Sequence, residues 1–221
     1  MLQPSPSRHL DGSDSITGGA GADTLVLNDG GSNGTTISGA VFDGDASNGG
    51  VQSFETITVG AIGGGNLDAT FNNTYVASTT SNAVLLNIGT NNINSLTTTG
   101  VTGTVTLDSS DNTFSVGLAD GADHQGLVIA AGETATVTLG NQGNTITGGT
   151  GGETFIVVDN ELEGTDSITA ATGTDTLQIS GDNEAILVGD FANKSGIQVL
   201  NFSTSRSNGV AISDAFVNAA D

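Results

Sequence analysis

Apolar and polar residues alternate in short runs along most of this chain. Residues 24–27 read TLVL, 54–59 FETITV, 104–107 TVTL, 134–139 TATVTL and 176–179 TLQI. Alternation of this kind, rich in β-branched residues, is the pattern of a strand with one buried face. Gly, Asn, Asp or Ser brackets each run, so the strands are short and the chain turns often. No long stretch keeps the 3.6-residue period of an amphipathic helix, and residues 213–220, with Ser213 as cap, read as one short helix. The middle of the chain, as in FNNTYV and GTNNINSLTTTG, suits ladders of polar side chains between stacked strands, with Val, Ile, Leu and Phe alternating inward.

Comparison of the chain with itself adds organisation. DGSDSITGGAGADTLVL at 11–27 aligns without a gap on EGTDSITAATGTDTLQI at 163–179, and GVQSFETITV at 50–59 has a counterpart in GIQVLNFS at 196–203. A related module therefore stands near each end. The reading divides the chain into an N-terminal module over 1–59, a Thr, Asn and Gly-rich body over 60–138 and a C-terminal module over 139–221, all parts of one continuous β-rich body.

Charge and composition narrow the chemistry. The 221 residues hold 24 Asp and Glu against three Lys and Arg, a formal net charge of −21. The cations are Arg8, Lys194 and Arg206, so no basic face exists to neutralise phosphates, which excludes nucleic acid and anionic membrane surfaces as partners. Without Cys there is no disulfide framework, thiolate metal site or cysteine nucleophile. The apolar runs fall far short of the ~20 residues of a membrane helix. The opening MLQPSPSRHL carries no conventional secretory signal, which leaves a cytosolic chain, export by another route or a fragment. His9, His124 and Tyr75 with three outlying cations are poor material for acid–base or lyase chemistry, and with no Trp an aromatic sugar platform is also lacking, so an enzyme is not expected.

Within the modules the pattern GxDxU, with U apolar, recurs nine residues on. Gly12, Asp14 and Ile16 are followed by Gly21, Asp23 and Leu25; Gly164, Asp166 and Ile168 by Gly173, Asp175 and Leu177. A third, weaker pair ends at Asn144 with Ile146 and at Glu153 with Phe155. Glycines allow a tight curl at positive φ. The curl leaves carbonyl oxygens and one carboxylate to face a hard cation, and calcium accepts six to eight oxygens in flexible geometry. Without a cation, the same grammar makes ordinary turns capped by Asp.

These nonads, with GGAGADTLV at 18–26 the fullest, resemble the RTX, or haemolysin-type, calcium-binding repeat. The resemblance implies an all-β chain folded as a right-handed parallel β-solenoid or β-roll of degenerate nonapeptide coils. It also implies bound Ca2+, with Asp14, Asp23, Asn144, Glu153, Asp166 and Asp175 as metal ligands, and secretion of a type I-like kind without a cleaved signal. In that family a site is completed one coil later, and here a 22-residue step would set Asn144 against Asp166 and Glu153 against Asp175. Asp14 and Asp23 have no such partner, so a preceding module of a longer protein is expected. Asp43, Asp45, Asn48, Gly49 and Glu55 form a second acidic loop, similar to an EF-hand loop with one residue too many, and Asp120, Asp123 and His124 a lesser cluster.

The surface-layer and adhesin branch of these proteins mixes degenerate nonads with long Thr, Asn and Gly-rich strands in the same way. The expected function is that of a calcium-binding extracellular structural protein at a bacterial surface, self-associating into a surface layer or filament, with cell-surface polysaccharide as a further partner. A calcium-rigidified spacer of a large RTX adhesin is the alternative. A carbohydrate- or ice-binding solenoid face comes third, and the irregular spacing of the threonines argues against ice.

Overall fold

A computed structural model of the chain describes residues 14–28, 33–37, 42, 50–60, 63–98, 100–120, 124–158, 162–180, 186–203 and 211. The alternating runs become strands of two parallel sheets, each with eight strands, which the chain visits in turn. The first sheet holds Thr24–Leu27, Thr56–Val59, Ala83–Asn87, Thr104–Asp108, His124–Ile129, Asn144–Thr147, Ser167–Thr169 and Lys194–Ser195. The second holds Asn33–Ile37, Gly63–Thr70, Asn92–Thr97, Thr113–Leu118, Thr134–Thr138, Thr154–Val157, Thr176–Ile179 and Val199–Phe202. Each rung thus gives one strand to each sheet and stacks on the rung before it. This is a parallel β-solenoid. A further pair, Ser15–Thr17 with Gly50–Gln52, lies ahead of the first two strands of the first sheet. Both sheets run without a break from the N-terminal module through the middle of the chain to the C-terminal module.

The core follows from the alternation. In the second sheet Leu67, Ile93, Val116, Val137, Phe155, Leu177 and Leu200 occupy one register column. The first six are fully buried, and Leu200 is partly so. Full burial of such a side chain contributes roughly 1.5–3 kcal/mol, so the column alone is a main source of cohesion between rungs. The first sheet supplies the facing column of Val84, Val105, Leu127, Ile146 and Ile168. On the outside, polar side chains bond from rung to rung: Asn92 Oδ1 accepts from the backbone N–H of Ser115 at 2.8 Å, and Asn201 Nδ2 donates to Gln178 Oε1 at 3.2 Å.

Rung length varies. Val137 pairs with Phe155, 18 residues on, whereas Leu25 pairs with Ile57, 32 residues on. One source of extra length is the helix Asn73–Ser78, which begins within the segment FNNTYV that the sequence reading treats as a strand ladder. Asn72 Oδ1 caps it by accepting from Tyr75 N at 2.8 Å, and Tyr75 and Val76 turn into the core. The Tyr75 ring lies 5.3 Å from Phe42 and 5.9 Å from Phe71, and its hydroxyl donates to Phe54 O at 3.1 Å. Burial of two side chains and a cap outweigh the strand preference of Thr74 and Val76. The segment 213–220, expected to hold a helix, lies outside the described residues.

Candidate metal centre

The nonad carboxylates sit at the corners of the solenoid, each just ahead of a strand. At the second-sheet corner, Glu153 precedes Thr154–Val157, Asp175 precedes Thr176–Ile179 and Gln198 precedes Val199–Phe202. The register Thr154 to Thr176 to Val199 stacks the three in successive rungs. Asp175 Oδ1 accepts from Glu153 N at 2.8 Å, and Gln198 Oε1 accepts from Asp175 N at 2.6 Å. Both carboxylates are fully buried, yet Glu153 Oε1, Glu153 Oε2 and Asp175 Oδ2 have no hydrogen-bond partner.

Glycine makes the space for this pair. A Cβ on Gly148 would stand 3.0 Å from Glu153 Oε2, and one on Gly149 3.3 Å from Oε1. Gly173 has φ +138, where a side chain would be strained. Burial pushes the Glu153 carboxyl up to about 8, and the Asp175 carboxylate beside it pushes the same way. Two carboxylates buried together repel each other and lack solvent, so the corner calls for a proton or a cation.

The first-sheet corner of the same rungs is built differently. Asn144 stacks on His124 in the preceding rung and on Asp166 in the next. Asp166 Oδ1 accepts from Asn144 N at 2.9 Å and Asn144 Nδ2 at 3.0 Å, and Oδ2 accepts from Glu163 N at 2.8 Å. Lys194, only 3% exposed, brings its Nζ to 3.9 Å from Asp166 Oδ2. His124 is buried, with Nδ1 accepting from Thr98 N at 3.4 Å and Nε2 2.9 Å from Ala119 O. Those partners fix the tautomer with the proton on Nε2. Asp120 is exposed at the surface, and Asp123 lies outside the described residues.

The N-terminal nonads hold the correction to the sequence reading. Asp23 does have a partner: Thr24 pairs with Thr56, which sets Glu55 of the next rung beside it, and Glu55 Oε2 accepts from Asp23 N at 2.9 Å. Glu55 Oε1 accepts from Thr80 N at 2.8 Å. Burial works against ionisation of Glu55, but the bonds from Asp23 and Thr80 outweigh it and hold its pKa below the usual value. Asp23 Oδ2 is buried without a partner. Asp14 directly precedes Ser15–Thr17, and its carbonyl accepts from Gly50 N. Asp43, Asp45, Asn48 and Gly49 of the EF-hand-like loop lie outside the described residues.

No family model, curated protein or solved structure matches this chain. The chemistry of the corners therefore rests on their own geometry. Among the described residues no three His, Asp or Glu side chains cluster closely enough to hold a metal by themselves. A cation at the Glu153–Asp175 corner would draw its remaining oxygens from the backbone and water, which suits calcium better than zinc. Sequence reasoning put Glu55 in an EF-hand-like loop rather than beside Asp23, and it missed Gln198 and the role of Lys194. Glu55 and Gln198 stand immediately before TITV and VLNF as Asp23 and Asp175 stand before TLVL and TLQI, and that position was the available signal. It also missed Glu133, buried ahead of Thr134–Thr138 with Oε2 unpartnered. Burial raises the Glu133 pKa, opposed by bonds from Ser109 and aided by Asp108.

Proposed function

We propose that this protein is a calcium-binding, non-catalytic structural solenoid of a bacterial cell surface, a subunit or segment of a surface layer or filament. The observation that carries the reading is the Glu153–Asp175 corner: two fully buried carboxylates, three unpartnered oxygens and a glycine-lined bend around them. Calcium there removes the repulsion, supplies the missing partners and ties two successive rungs together. Asp23, with Glu55 beside it and one unpartnered oxygen, is the second candidate position. Outside these corners the net charge of −21 adds a general preference for divalent cations. Export to the calcium-rich exterior belongs to the same reading, since extracellular modules bind calcium with dissociation constants of about 10⁻⁴–10⁻³ M.

Calorimetric titration and light scattering on the same samples test the proposal. The wild-type chain is expected to bind calcium in that range and to scatter more light as it assembles, with chelator reversing both. Glu153→Gln and Asp175→Asn are expected to weaken binding at least tenfold. Binding without assembly favours the adhesin-spacer role, and binding unchanged in both variants refutes the site.

A further inference from the structure

The two corners of the same rungs differ in charge balance. The second-sheet corner stacks Glu153, Asp175 and Gln198, two carboxylates with no cation among the described residues within bonding reach. The first-sheet corner stacks Asn144 and Asp166 and receives the Lys194 ammonium, so one buried carboxylate meets one buried cation, with the half-buried Glu163 and Asp190 adding negative charge nearby. Lys194 stands opposite Ile168 in register and reaches back to the corner along the length of its side chain. Its Nζ donates to Glu163 O at 2.5 Å, Asp166 O at 3.0 Å and Ala192 O at 3.3 Å, with Asp166 Oδ2 as a fourth oxygen.

Three backbone carbonyls and a carboxylate converging on one point form an oxygen cage of the type a hard metal cation takes. An ammonium is a compact charge with three donors, and the three carbonyls satisfy all of them. We propose that Lys194 is a tethered counter-ion that fills a latent divalent-cation site at Asp166. The last rung is thereby closed without metal, and calcium is confined to the corner that lacks a built-in cation. Asp166 then acts as partner of the ammonium, and Asn144, a neutral residue, stands where a second buried carboxylate would have no buried cation of its own.

The inference extends the calcium-binding reading, and one experiment separates the two. Terbium luminescence counts bound ions, and circular dichroism follows melting in chelator and in millimolar calcium, for wild type and Lys194→Ala. Wild type by itself tests the calcium-binding reading; the difference between variant and wild type tests Lys194. Lys194→Ala is expected to bind one ion more than wild type. In chelator its Tm should fall by on the order of 10 °C, because a buried charge loses its partner, and calcium should restore it by more than it shifts wild type. The double variant Asp166→Asn, Lys194→Met, with a neutral cage, should show neither the extra ion nor the extra restoration. An unchanged ion count in Lys194→Ala overturns the inference. Failure of that variant to fold in calcium counts against it as firmly, since a competent cage would be filled by the added ion.

Discussion

Glu153 is the side chain whose state depends most on what fills its corner. Its pKa is raised from 4.5 to about 8 in the folded chain, so the folded form binds the proton more tightly than the unfolded one. That contribution to stability is complete below about pH 4.5 and is lost as pH rises through about 8. In chelator, Tm is therefore expected to fall across this window; in calcium, which on the proposed reading takes the place of the proton, the decline should disappear. Lys194 acts in the opposite sense at higher pH, because burial lowers its pKa from 10.5 to about 8, against the pull of Asp166, Asp190 and Glu163. Between those values the unfolded chain holds more protons, so stability from this group recovers as pH climbs. Melting curves of wild type and Glu153→Gln across the range check the assignment: the decline below pH 8 must vanish in the variant, and its persistence would place the titrating group elsewhere.

At the scale of the element, the corner bends decide whether rungs can stack. Gly173 combines φ +138 with a Cβ direction aimed at the carbonyl of Gly151 in the preceding rung. Gly189, in the single-turn 3-10 helix Val188–Phe191, has open space in that direction and no positive φ. Gly173→Ala is expected to destabilise by more than ~1 kcal/mol, about 2–4 °C in Tm for each kcal/mol, and Gly189→Ala to be neutral or slightly stabilising. Equal effects from the two substitutions would contradict the account of the bend. The helix Asn73–Ser78 is the other element that departs from the strand pattern, and it shows how a rung absorbs extra residues without breaking the sheets on either side.

The whole molecule is a stack in which the sheets pair each rung with the rungs on either side, so stability is nearly a sum of rung and interface terms. A cation between two rungs should accordingly protect those rungs before distant ones. Hydrogen exchange followed by mass spectrometry is expected to show calcium slowing exchange first in 144–157 and 167–179, with later or smaller change in 83–118. Sodium chloride at matched ionic strength should not reproduce this, because screening of the −21 charge is spread over the surface whereas the buried pair needs a bound partner. Uniform protection by either salt would mean that charge screening alone accounts for the response. No helix among the described residues is long and apolar enough to cross a membrane.

Parallel stacking was implied by the resemblance to the RTX repeat; the alternation of TLVL, TITV and TLQI determined the strands and the face each residue takes. Strands and faces are legible because the face a strand residue occupies is set by its own backbone. The 22-residue step from Asn144 to Asp166 and from Glu153 to Asp175 was legible too, and the rung registers match it. Only the tertiary structure decided that Asp23 meets Glu55 across a 32-residue rung, that His124 turns inward to the carbonyl of Ala119, and that Lys194 is buried against Asp166. Which side chains share a corner depends on the length each rung spends in its loops. Loop closure changes little in free energy with added residues, so local sequence leaves that length, and the charge balance it creates, to the packing of the whole stack.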